Sequence, residues 1–92
     1  RQNMETTDII KDLIAENRLE EAIELLNRRI EQNEKDDEAY YLLGNIFRKK
    51  GNWKQATFYY LSATEINPES PAKQAQEVLV DIQNFMNPDF NP

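Results

Sequence analysis

The chain has 92 residues, enough for one small domain with a modest core. Hydrophobic residues make up 39% and charged ones 30%, a balance that fits a globular protein and not a disordered one. A net charge of −6 argues against general affinity for nucleic acid, the lack of cysteine excludes disulfides and thiolate chemistry, and no apolar run reaches the length of a membrane span.

Few glycines and prolines, abundant Glu, Lys, Ala and Leu, and almost no alternating β-branched runs predict helix throughout. Ile9, Ile10, Leu13 and Ile14 mark a first helix near 5–16, interrupted at Asn17-Arg18. Leu19, Ala22, Ile23, Leu26 and Ile30 share one helical face and predict a second over 19–33. The polar run Glu34-Lys35-Asp36-Asp37 then separates it from a third over 37–50, with Asp36 or Asp37 as N-cap. Gly51-Asn52 is a left-handed stop signal, and a fourth helix over 53–66 must end before Pro68. Ser70-Pro71 reads as N-cap and first-turn proline of a fifth over 71–86, with the apolar stripe Ala72, Ala75, Val78, Leu79, Ile82, Phe85 and Met86. The segment 87–92, NPDFNP, reads as a tail. Met4 is a candidate natural start; the alternative is that the chain is a piece of a longer protein.

Within residues 37–70 a fixed spacing stands out: Tyr40-x2-Leu43-Gly44-x2-Phe47, then Ala56-x3-Tyr60, Ala63 and Pro68. It resembles the tetratricopeptide repeat, with each aromatic position filled by another aromatic residue. Gly44 reads as the point of close helix approach and Gly51 as the turn, with Ala56 and Ala63 as the small residues opposite. Moving back 34 residues places Ile9, Ile10, Leu13, Ala22 and Leu26 on the positions of Leu43, Gly44, Phe47, Ala56 and Tyr60. Both glycines are lost in that copy: Ile10 and Asn17 replace them, and Arg29 stands where Ala63 would be, leaving Ile30 to take the buried role. Forward, the fifth helix matches after a slip of one residue, with Ala75, Val78, Leu79 and Ile82 on the positions of Tyr40, Leu43, Gly44 and Phe47. The unslipped register would bury Glu77 and Asp81. The polar outer face of the fifth helix suits the end of a stack. The expected architecture is all-α, a right-handed superhelix of antiparallel helix pairs: a degenerate repeat at 3–36, a repeat at 37–70, a capping helix at 71–86 and a tail at 87–92.

No His or Cys is present, so the commonest general base, metal ligand and thiol nucleophile are missing, and Ser62 and Ser70 have no base to activate them. No Gly-rich phosphate loop exists either. The reading is a non-enzymatic protein without cofactor or metal, acting on neither nucleic acid nor membrane. Its compartment is open, with the cytoplasm favoured.

The resemblance implies instead a concave groove, lined by the first helix of each pair, that holds a peptide or helix of a partner protein. On this chain the lining would be Thr7 and Lys11, then Tyr41, Asn45 and Arg48, then Lys73, Gln76 and Gln83. Residues 1–47 carry 6 basic and 12 acidic side chains, whereas residues 48–92 carry 5 of each, with four of those cations between Arg48 and Lys54. Lys11, Arg48 and Lys73 would make the groove basic and suit an acidic peptide. Blander readings stand beside this one. Asn45 serves packing between helices, Arg48-Lys49-Lys50 complements the helix dipole, and Tyr41 belongs in part to the core. The cluster of Lys, Arg and Asn with which some family members clamp a terminal carboxylate is not reproduced. The alternative function is a structural, self-associating segment of a longer protein, with Leu25 and Tyr59 as surface residues that cover a second copy.

Overall fold

A computed structural model describes residues 2–86, with the side chains of residues 6–82. It is all-helical: α1 (Gln2–Ala15), α2 (Leu19–Gln32), α3 (Asp37–Lys49), α4 (Trp53–Ile66) and α5 (Ala72–Met86), with no strand among the described residues. Consecutive helices pack as antiparallel neighbours. The tail at 87–92 and the side chains of Gln83, Phe85 and Met86 lie outside the described residues.

The turns repeat at an interval of 34 residues. After α1, Asn17 N–H donates to Ile14 C=O at 3.0 Å and Arg18 N–H to Leu13 C=O at 2.8 Å. After α3, Gly51 and Asn52 make the same two bonds to Arg48 and Phe47, at 3.0 and 2.8 Å. This crossed pair is the Schellman closure, which needs a left-handed residue at its centre. Gly51 has φ +82° and Asn17 φ +65°. The turn is therefore retained although its glycine is not, because Asn tolerates that region better than most residues. The second turn type also recurs. Asn33 and Asn67 each accept a backbone N–H on their side-chain oxygen, from Lys35 and Glu69, both at 3.0 Å. Asp36 caps α3 by accepting from Ala39 N–H at 3.2 Å, and Ser70 accepts from Ala72 N–H at 3.1 Å.

Two clusters form the core, and α3 is common to both. The first joins Ile10, Ala22 and Leu26 to Ala39, Leu42, Leu43 and Ile46. The second joins Ala56, Tyr60 and Ala63 to Ala72 and Leu79, with Tyr40, Tyr41 and Phe47 packed against it. Between α3 and α4, a Cβ on Gly44 would collide with the ring of Tyr60, which is fully buried. The glycine is there so that the ring can come up against the α3 backbone. In the first pair the equivalent positions hold Ile10 and Leu26, both fully buried, so two medium side chains replace a void and a ring.

Four expectations need correction. Ile9 is 54% exposed, although its equivalent Leu43 is fully buried, because no described helix precedes α1 to cover it. Val78 is 46% exposed and does not take the buried position of Leu43 that the slipped register gives it on α5, although Ala75, Leu79 and Ile82 do face inward and Glu77 and Asp81 stay exposed. That helix buries Ala72 and Leu79, with Ala75, Gln76 and Ile82 half-buried. Leu25 and Tyr59 are not surface residues. Both pack against the first cluster, and the Tyr59 ring stacks on Phe47 at 5.5 Å.

If Asn17 closes α1 as Gly51 closes α3, Asn17→Gly should hold or raise stability by a few tenths of a kcal/mol. Asn17→Ala, with a Cβ in left-handed backbone and no side-chain amide, should cost about 1 kcal/mol. Urea denaturation measures both; an Asn17→Ala variant as stable as wild type would refute the turn's role.

Candidate functional site

The first helices of the pairs share one face, and the clefts on it show what each side chain can do. Toward the N-terminal end of α3 lies a cleft of about 380 Å³ lined by Lys11, Asp37, Glu38, Tyr41, Leu42, Ser70 and Pro71. Toward the C-terminal end of α3 lies another of about 430 Å³, lined by Ile14, Asn45, Arg48, Lys49, Trp53 and Ile82. A third, of about 330 Å³, is formed by Pro68, Glu69, Ser70, Pro71, Lys73 and Gln74.

Of the residues expected to line the groove, Lys11 and Tyr41 share the first cleft and Asn45 and Arg48 the second, while Lys73 lies in the third. Gln76 is half-buried on the packed side of α5. Of these three clefts, Lys11, Arg48 and Lys73 fall one in each, and Lys11 shares its own with two carboxylates.

Thr7 is buried and committed elsewhere. Its hydroxyl donates to Glu38 Oε1 at 3.1 Å and accepts from Arg29 Nη1 at 3.0 Å. The Arg29 side chain, only 14% exposed, also forks onto Asp36 with two bonds of 2.9 Å and reaches Glu38 at 3.2 Å. Burial opposes the charge on Arg29, but the bonds and charges of Asp36 and Glu38 outweigh it and raise its pKa. The residue that departs from the repeat pattern thus ties α1, α2 and the start of α3 together. A planar five-donor guanidinium can hold two carboxylates and a hydroxyl at once, where an aliphatic residue could hold none. Among the described residues no buried side-chain polar atom is left without a partner.

Asn45 and Arg48 meet at Tyr60. The Tyr60 hydroxyl donates to Asn45 Oδ1 at 2.5 Å, and the Arg48 guanidinium lies beside it. The Tyr41 ring is 6.1 Å from that of Tyr60, half-buried, and still lines the first cleft. Both readings of Asn45 and Tyr41 have content: each supports packing and each reaches the open face. The basic triplet splits in the same way. Arg48 and Lys49 line the second cleft, whereas Lys50 turns back to Glu20 of α2 at 2.6 Å and lies over the Phe47 ring.

Ile14, Lys49, Trp53 and Ile82 are lining residues that sequence reasoning missed. The signal was present: Ile14 and Ile82 stand 34 residues either side of Arg48, at the same position of three successive first helices.

Among protein-family models, one described as Tetratricopeptide repeat matches residues 37–70, and one described as TPR repeat matches residues 11–51. The chain belongs to the tetratricopeptide repeat family. Its fold is similar to the solution structure of the Bacteroides fragilis protein BF1650, with a TM-score of 0.83, 44% sequence identity, and coverage of 89% of this chain and 84% of that one. A search of curated proteins gives no match. Tetratricopeptide repeats are interaction or scaffold modules and are typically non-catalytic. No described helix is long and apolar enough to cross a membrane, and no group of three or more potential metal ligands is assembled among the described residues.

Burial raises the Tyr60 pKa above its usual value of 10.0, with the Arg48 guanidinium opposing the shift. The neutral form is the protonated one, so the folded state holds this proton more tightly than the unfolded state. That contribution to stability is complete below about pH 10 and is lost as pH rises through the folded pKa. The thermal midpoint of the wild type should therefore fall more steeply above about pH 10 than that of Tyr60→Phe; parallel curves would contradict this assignment.

Proposed function

We propose that the face formed by α1, α3 and α5 binds a peptide segment of a partner protein, with the 37–70 repeat at its centre, a degenerate repeat at 3–36 before it and 71–86 as capping helix. The observation that carries this reading is the second cleft. Ile14, Trp53 and Ile82 give it apolar walls, Arg48 and Lys49 a cationic edge. The Asn45 carbonyl is taken by Tyr60, while its amide N–H groups have no partner among the described residues and are available to a peptide carbonyl. Such a site fits a peptide with one bulky apolar side chain and acidic residues beside it: the ring and aliphatic walls take the anchor, and the guanidinium pairs with a carboxylate. The mixed charge around Lys11 favours a neutral or polar stretch at the other end. The proposed role is non-enzymatic and needs no cofactor.

Trp53, the one tryptophan in the chain, lines the cleft and reports on its occupancy. An array of peptides varying the apolar anchor and the acidic flank should yield ligands that change Trp53 emission and weaken with salt, since open-face charge pairs are screened over about 8–10 Å. Arg48→Gln should weaken the best of them by about tenfold. Lys35→Gln, in the exposed turn before α3, should leave it unchanged. Equal affinity for acidic peptides and their lysine-substituted counterparts would refute the proposed chemistry.

A further inference from the structure

On the side of α4 away from Tyr60, two large apolar residues stand in solvent: Phe58 at 57% exposure and Leu61 at 52%. The Phe58 ring is held edge-on against Tyr59, with centroids 5.2 Å apart. Lys54, Phe58, Leu61 and Glu65 are spaced by four, three and four residues, which puts them in one straight stripe along the helix. All four are exposed, and neither Lys54 nor Glu65 has an ion-pair partner among the described residues.

The first helix pair provides an internal comparison. The same four positions on α2 hold Glu20, Glu24, Asn27 and Glu31, and all are exposed although three further helices follow in the stack. Continuation of the superhelix leaves this stripe in water. The apolar pair on α4 is thus not the open end of a stack awaiting another repeat.

We propose that the α4 stripe pairs with the α4 stripe of a second copy of this chain, antiparallel and two-fold symmetric. The charge pattern selects this occupant. With the axis between Phe58 and Leu61, each Phe58 meets the partner's Leu61, and each Lys54 meets the partner's Glu65 at either end. An isologous contact requires such self-complementarity, because every pair is made twice. The acidic stripe on α2 would repel its own copy. Two apolar residues per chain bury much less than the roughly 1,200 Å² of a stable complex, so the dimer is weak, dissociating at about 10–1,000 µM. The surface is separate from the peptide cleft and does not depend on it.

Sedimentation across a concentration series tests this with five samples. The wild type should show a monomer–dimer equilibrium in that range, and Leu61→Glu should be monomeric with an unchanged helical circular-dichroism signal. Lys54→Glu and Glu65→Lys should each weaken self-association by at least about tenfold, since each places like charges at both ends. An equimolar mixture of these two variants should regain it, because the mixed dimer restores opposite charges at both ends. A wild type that stays monomeric to about 1 mM would overturn the proposal. So would a dimer unaffected by Leu61→Glu, or a mixture no tighter than either variant alone.

Discussion

The ring of Tyr60 occupies the space that a side chain at position 44 would need, and much of the molecule follows from that contact. The ring brings α4 against α3, and the second cluster is built around it with Ala56, Ala63, Ala72 and Leu79. The hydroxyl then emerges between Asn45 and Arg48, where it fixes the side chains that border the second cleft. Packing in the interior and geometry on the open face are joined by a single phenol. Helix propensity alone would disfavour Gly44 by about 1 kcal/mol relative to Ala, so the contact must return more than that.

The first pair reaches the same arrangement by other means. Ile10 and Leu26 share the volume that Gly44 and Tyr60 divide unequally, and Asn17 adopts the backbone of Gly51. Where Ala63 would sit, Arg29 gathers Thr7, Asp36 and Glu38. Such a network is costly to assemble in a core but is fully satisfied here, where an arginine of α2 meets a hydroxyl of α1 and two carboxylates at the start of α3. What the two pairs share most closely is the turn geometry, which depends on a few backbone hydrogen bonds and tolerates wide variation in the packed residues.

The helices, their order, the cap at Asp36 and the purpose of both glycines were legible because each rests on local spacing or on one residue's steric limits. The Arg29 network was not, since it joins residues 22 apart in sequence and an arginine at a core position reads first as a departure. Thr7 was misplaced for the same reason: position within a repeat gave it an open face, and a distant guanidinium buried it. The exposure of Val78 was not legible because a terminal helix packs on one side only, so an apolar residue at the edge of its stripe is left uncovered. Ile14 and Ile82 were not legible as lining residues because an apolar residue at helical spacing reads first as core, and only the stacking of the helices shows that it walls a cleft.

The dependence of the fold on the Gly44–Tyr60 contact is most directly measured by a double-mutant cycle in urea. Gly44→Ala alone should destabilise by about 1–2 kcal/mol, overpacking against the ring being partly offset by better helix propensity. In a Tyr60→Leu background, where a shorter and rotatable side chain can yield, the same substitution should cost nothing or add stability. An equal cost in both backgrounds would show that the glycine serves something other than the tyrosine ring.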